Sequence, residues 1–225
     1  MKSIRTKAIV LRRTDYGEAD RIVQFITPQH GVVSAIAKAV RREKSRLAGG
    51  IELFARCDIT ITSGKGDLGI VTAARLDEFY GNIMTDYDHL QLGYEAVKQI
   101  SKAANAVDEP AFFDLLEQMF ACLNDLAIDS RLSESWFWLQ LAILLGVGLN
   151  LETDVDGMKL EEGVEYAFLP TDHGFSRNQK GHFTSDHIKL LRLLSAQPPK
   201  IAAHVRGVDA LIGDIVWVAR QAVAH

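Results

Sequence analysis

Cysteine is scarce in this chain of 225 residues: Cys57 and Cys122 are the two. They stand far apart, so neither a disulfide framework nor a CxxC metal nucleus is available. A reducing, cytoplasmic compartment is the natural reading. Long hydrophobic runs are also lacking. The most apolar stretch, WFWLQLAILLGVGL over 136–149, has 14 residues, whereas a bilayer span takes about 20. It predicts a buried core helix and no membrane contact. The N-terminal MKSIRTKAIVLRR has no long apolar h-region and no cleavage pattern, so no secretory signal is expected. Nucleophile elbow, P-loop and HExxH motifs are absent, and no triad spacing links Ser, His and acidic residues. The chain is therefore not expected to be an enzyme or to carry a cofactor.

What the chain does have is ordinary globular material, 48% hydrophobic and 24% charged, enough for a real core. Its net charge of -4 is unevenly spread. Residues 1–80 hold 14 Lys+Arg against 9 Asp+Glu, while 81–225 hold 11 against 20. A basic first third on an acidic remainder suggests two units with different partners.

The first third reads as strands at 4–13, 21–26, 32–40, 51–62 and 68–76, parted by Tyr16-Gly17-Glu18 and by the turn Thr27-Pro28-Gln29-His30-Gly31. Five short strands joined by turns predict a closed or nearly closed β-barrel. After Tyr80 the period becomes helical. Leu90, Tyr94, Val97 and Ile100 mark one helix, and Asp108-Glu109-Pro110 opens a second with Phe113, Leu116, Met119, Phe120 and Leu123 as its stripe. A third is expected from a Ser133 cap to about Gly146, with at most two of Trp136, Phe137 and Trp138 in the core. Periodicity is lost over 150–184. Ser185 is expected to cap the next helix, and a last one runs from about Val208 to Ala222.

Five of the nine residues in Lys38-Ala39-Val40-Arg41-Arg42-Glu43-Lys44-Ser45-Arg46 are cationic. A cationic loop on a small barrel tracks a phosphate backbone through counterion release. Lys7, Arg12, Arg13 and Arg21 extend the patch. A solvated charge run is the alternative. Tyr16, Phe25 and Phe54 are the aromatics at hand for base stacking, with Phe25 and Phe54 expected in the core. Gly64-Lys65-Gly66-Asp67-Leu68-Gly69 matches GxGxxG, but strand-like Ile70-Val71-Thr72 follows where a helix is required, so a hairpin turn is expected. Glu152-Thr153-Asp154-Val155-Asp156-Gly157 imitates a calcium loop whose twelfth position is Gly163 rather than Glu, so an acidic loop is expected. His173, His182 and His187 are too loosely spaced to predict a zinc site.

The first third resembles the bacterial RecO family of recombination mediators. The resemblance is carried by Thr6-Lys7-Ala8-Ile9-Val10-Leu11, Tyr16-Gly17-Glu18-Ala19-Asp20-Arg21, Thr27-Pro28-Gln29-His30-Gly31, 37–46 and Leu53-Phe54. It implies an α+β protein: a five-stranded OB-fold β-barrel over 1–80, then an all-helical domain over 81–225 with a small irregular insertion at about 150–184. It also implies a non-enzymatic mediator of DNA repair. Such a protein binds single- and double-stranded DNA, anneals complementary strands and helps load a recombinase onto strands coated by single-strand-binding protein. The implied partners are the C-terminal tail of that coating protein and RecR, at a cytoplasmic, nucleoid-associated location. Lys38, Arg41, Arg42, Lys44 and Arg46 are the implied DNA contacts. Many family members carry a four-cysteine zinc site after the third helix. Residues 150–184 here hold no cysteine, so the zinc is expected to be lost and the loop to be held by its own packing. A protein-interaction scaffold whose barrel does not bind DNA is the rival reading.

Overall fold

In the computed structural model, residues 3–64 and 68–224 are described. The chain folds as two compact units, Met1–Asn124 and Asp125–His225. In the first, β1 (Ser3–Tyr16), β2 (Asp20–Thr27), β3 (Gly31–Ala37), β4 (Ala55–Thr62) and β5 (Gly69–Phe79) form a closed barrel in the order β1-β2-β3-β5-β4. Every pairing is antiparallel except β3 with β5. This is an OB-fold followed by helices, as the resemblance implied.

Period-2 alternation builds the interior. Ala8 and Val10, Val23 and Phe25, Ala35 and Ala37, and Ala55, Cys57, Ile59 and Ile61 all point inward. The small side chains of Ala8, Ala35, Ala37 and Ala55 share this core with Phe25 and let so small a cylinder close. Burial pushes the Cys57 thiol up to about 11, so it serves as a packing residue. Two strands are shorter than expected. β3 stops at Ala37 because Ala39 takes a left-handed φ of 53°, and β4 starts at Ala55 because Phe54 takes a φ of 52°. A 3-10 turn, Ala48–Gly50, lies between them.

α1 (Tyr87–Ala106) and α2 (Ala111–Asn124) pack in the same unit as the barrel. The change from strand to helix thus falls near residue 80, whereas the unit boundary falls after Asn124. Asp86 caps α1 by accepting from the His89 N–H, and His89 Nδ1–H donates to the Leu123 carbonyl at 2.6 Å. The buried face of α1 is His89, Gly93, Ala96, Val97, Ile100 and Ala103; Tyr94 stays half-exposed over the Phe54 ring.

The second unit contains α3 (Ser130–Leu144), the hairpin β6 (Tyr166–Leu169) and β7 (Gly174–Arg177), α4 (Ser185–Ala196), the single turn α5 (Pro199–Ala202) and α6 (Val208–Gln221). Two expected caps move. Asp129, not Ser133, caps α3, and Ser133 is buried inside the helix. Thr184, not Ser185, caps α4, in a capping box with His187. Each true cap stands outside the helical dihedrals, as a cap must. Trp136 and Phe137 are buried and Trp138 is not, so two of the three aromatics enter the core. Among the described residues no helix is long and apolar enough to cross a membrane.

Candidate nucleic-acid interface

One irregularity in β1 sets the charge on the barrel surface. The β1–β2 register shifts between Val10 and Arg12, leaving Leu11 as the extra residue. Without it Arg12 would oppose Val23 and face the core. With it Arg12 opposes Gln24 on the outer face, and Arg13 opposes Val23 near the barrel end. Arg13 Nη1–H there donates to the Ile51 carbonyl at 3.1 Å and pairs with Glu52 at 3.3 Å.

The pairing register brings the end of β1, the start of β2 and the end of β3 together, since Asp15 opposes Arg21 and Arg21 opposes Ala37. The basic segment leaves from this rim and is tied to it. The Asp20 carboxylate accepts from the Ala39 N–H at 2.7 Å, which holds the left-handed turn, and the Ala19 carbonyl accepts from the Arg41 N–H at 3.0 Å. Asp15 takes the Arg21 Nε–H at 2.9 Å and lies 3.5 Å from the Arg41 guanidinium. The hydrogen bond from Arg21 and the charge of Arg41 outweigh desolvation and hold the Asp15 carboxyl below the usual carboxylate range.

Beyond Arg41 the picture changes. Lys38, Arg42, Lys44 and Arg46 are exposed, and among the described residues none of them has an ion-pair partner. Arg12 is likewise exposed and unpaired. The far end of the segment is pinned where Gly50 sits against β5; a Cβ there would stand 2.4 Å from the Ala74 carbonyl carbon. The structure therefore gathers Arg12, Arg13, Arg21, Lys38 and Arg41 at one end of the barrel, with Arg42, Lys44 and Arg46 on the segment that leaves it. It does not bring Lys7 to them. Lys7 opposes Asp58 on β4 and pairs with Asp77 at 3.0 Å, in a cluster where Arg56 also meets Asp77, Glu78 and Glu117. Sequence reasoning missed this cluster, whose members lie on β1, β4, β5 and α2 with no motif to join them.

The comparisons with known proteins agree with this fold. Residues 1–80 match the family described as Recombination protein O N terminal. A protein named DNA repair protein RecO from Thermobifida fusca (strain YX) is 34% identical over 155 residues, which is 68% of this chain and 63% of that protein. Residues 1–80 are a RecO-family N-terminal domain. The chain spans less than two thirds of the length of that relative.

The four-cysteine zinc site of many RecO proteins has no fit in the second unit. Asp154, the most deeply buried carboxylate of the irregular segment, is already occupied. It accepts from the Asp156 and Met158 N–H groups at 3.1 and 2.8 Å and from Arg177 Nε–H at 3.0 Å. Burial raises its pKa, but the Met158 N–H, Arg177 and the Asp156 N–H outweigh that and hold the carboxyl below its usual range. The acidic stretch that imitates a calcium loop is thus folded around an arginine. His182 and His187 meet on Asp214, at 3.5 and 3.3 Å, whereas His173 lies at the β6–β7 turn. Among the described residues no cluster of three or more His, Cys, Asp or Glu has metal-binding geometry. Phe168 and Phe175 of the hairpin meet each other tilted, Phe168 meets Trp217 and Phe175 meets Phe183 edge-on, and Phe183 stacks on Trp217. In the glycine triplet, Lys65, Gly66 and Asp67 lie outside the described residues, and the strand β5 begins at Gly69. A dinucleotide fingerprint would require a helix there.

Proposed function

We propose that this chain is a non-enzymatic, DNA-binding recombination mediator of DNA repair. In this reading the OB-fold over 1–80 holds single- and double-stranded DNA by charge and without regard to base order. Lys38, Arg42, Lys44 and Arg46 make the main phosphate contacts, Arg12, Arg13, Arg21 and Arg41 line the approach, and Lys7 contributes least because Asp77 already neutralises it. Annealing follows from neutralising two strands at once and holding them close. The single observation that carries the reading is that among the described residues the four loop cations have no ion-pair partner, so phosphates can replace their solution anions at little cost.

The helical part, 81–225, is the proposed docking region for the tail of the single-strand-binding protein and for RecR, in the cytoplasm at the nucleoid. Its excess of acid disfavours bare DNA. A groove of about 590 Å³ between α4 and α6, lined by Leu190, Leu193, Val205 and Leu211 with Arg206 at its edge, supports protein docking there.

The test is oligonucleotide binding titrated with salt, alongside annealing of complementary strands with and without the coating protein. Changing Lys38, Arg42, Lys44 and Arg46 to Ala should flatten the plot of log affinity against log salt by about 0.7 for each lost single-strand phosphate contact. It should also abolish annealing while leaving the melting temperature unchanged. Unchanged affinity in that variant would favour the scaffold reading instead.

A further inference from the structure

We propose that Tyr16 is a stacking platform for an unpaired base, and that the outer face of β1 and β2 beneath it gives this barrel a preference for single strands over duplex. The proposal rests on the reading of the neighbouring cations as a phosphate surface, and adds to it a group that charge alone does not supply.

The geometry follows from the bulge at Leu11. Past it, Arg12, Thr14 and Tyr16 alternate onto the outer face, opposite Gln24, Ile22 and Asp20 respectively. Arg12, Thr14, Ile22, Gln24 and Ser34 line one shallow depression of about 190 Å³. Ile22 gives it an apolar side chain, Thr14 and Ser34 two hydroxyls, Gln24 an amide and Arg12 one cation. This combination suits a nucleobase, which is flat and apolar on its faces and rich in donors and acceptors at its rim.

Tyr16 is the last residue of β1 and continues the same row. Its side chain is 53% exposed, and among the described residues it makes no hydrogen bond and no ring contact. Exposed Tyr94 lies on Phe54, and Trp217 on Phe168 and Phe183; Phe79 and Tyr87 are exposed as well, but they stand on β5 and α1 and not in the row of Arg12, Thr14 and Tyr16. A large ring held at the end of a strand, beside Arg21 and the start of the cationic segment, leaves about half of its surface in water in the free protein. A base stacked on it would remove that apolar surface from water, and only a single strand offers a free base face. The cations serve both forms of DNA; the ring serves one.

The experiment uses the full chain and a short oligothymidylate carrying one central 2-aminopurine, free and in duplex. In the native protein the fluorescence of the single strand should be quenched on binding, and that of the duplex should not change. Tyr16→Ala should remove the quenching and weaken single-strand binding about tenfold. Duplex affinity, the salt dependence and the melting temperature should stay as in the native chain. Tyr16→Phe, which keeps the ring, should behave as native. If Tyr16→Ala binds and quenches as the native chain does while the Lys38, Arg42, Lys44 and Arg46 variant loses affinity, the stacking proposal is overturned and the phosphate surface stands. If the native chain binds neither form at low salt, both are overturned.

Discussion

At the scale of single residues, the cationic rim is partly self-cancelled, by Glu52 at Arg13 and by Asp15 at both Arg21 and Arg41. Hydrogen-bonded by Arg21 and close to Arg41, the Asp15 carboxyl stays ionised well below the usual range. Its charge therefore offsets these two arginines at neutral pH. Asp15→Asn should release them. Single-strand affinity should rise severalfold at low salt, and the salt plot should steepen by about 0.7 for each arginine that gains a phosphate contact. Fluorescence anisotropy at three or four salt concentrations measures both, and a flatter plot would show that Asp15 orders the arginines for DNA rather than masking them. Asp20 does different work: its carboxylate holds Ala39 in the left-handed turn from which the basic segment departs.

At the scale of elements, the segment from β3 to β4 is fixed at both ends and turns between them on its own backbone hydrogen bonds, from the Arg42 N–H to the Ala39 carbonyl and from the Ser45 N–H to the Arg42 carbonyl. One anchor is the rim at Ala39 and Arg41. The other is the 3-10 turn Ala48–Gly50, where Gly50 is pressed against the β5 backbone. Backbone cannot yield as a flexible side chain can, so Gly50→Ala should destabilise the barrel by about 1–3 kcal/mol and weaken oligonucleotide binding with it. Chemical denaturation and the binding assay should move together; a stable variant that still binds poorly would separate the anchor from the fold. The irregular segment of the second unit has its own fixed point in Asp154. Because hydrogen bonds and Arg177 lower its pKa in the folded chain, its stabilisation is complete above the unfolded carboxyl range, near pH 4, and is lost as pH falls through the lower folded value. Asp154→Asn should lower the melting temperature at pH 7 and flatten its fall in acid, as read by circular dichroism from pH 7 down to pH 3. A variant with the native acid profile would place the sensitivity on another carboxylate.

At the scale of the whole molecule, a net charge of -4 repels polyanions, and local cations must overcome it. The sequence isoelectric point is about 6.0. Affinity for oligonucleotides should therefore rise severalfold as pH falls from 8 towards 6, and the rise should persist in the Lys38, Arg42, Lys44 and Arg46 variant, because it comes from the chain as a whole. A rise confined to the native loop would make it a local effect instead. The five strands, the helical remainder and the basic run were legible because each rests on local pattern: period 2, period 3.6, and charge density in nine residues. The buried face of α1 was legible in part: Val97 and Ile100 are buried as the spacing predicted, whereas Tyr94 is half-exposed and Leu90 only partly buried. The rest of that face is His89, Gly93, Ala96 and Ala103, small or polar residues that show no apolar stripe, and Gly93 is there because a Cβ would stand 2.8 Å from the Phe54 ring. The caps were misread by a few residues because several Ser, Thr and Asp stand near each helix start, and backbone dihedrals choose among them. What the sequence by itself determined is the composition of the surface: which residues carry charge, and that the first third is basic. Which of those charges remain available was decided only by the tertiary structure. One extra residue at Leu11 turns Arg12 outward, barrel closure sets Asp77 against Lys7, and the β1–β2 hairpin with the turn at Ala39 sets Asp15 against Arg21 and Arg41. Counter-ions are chosen by distance in space, and no spacing along the chain encodes it.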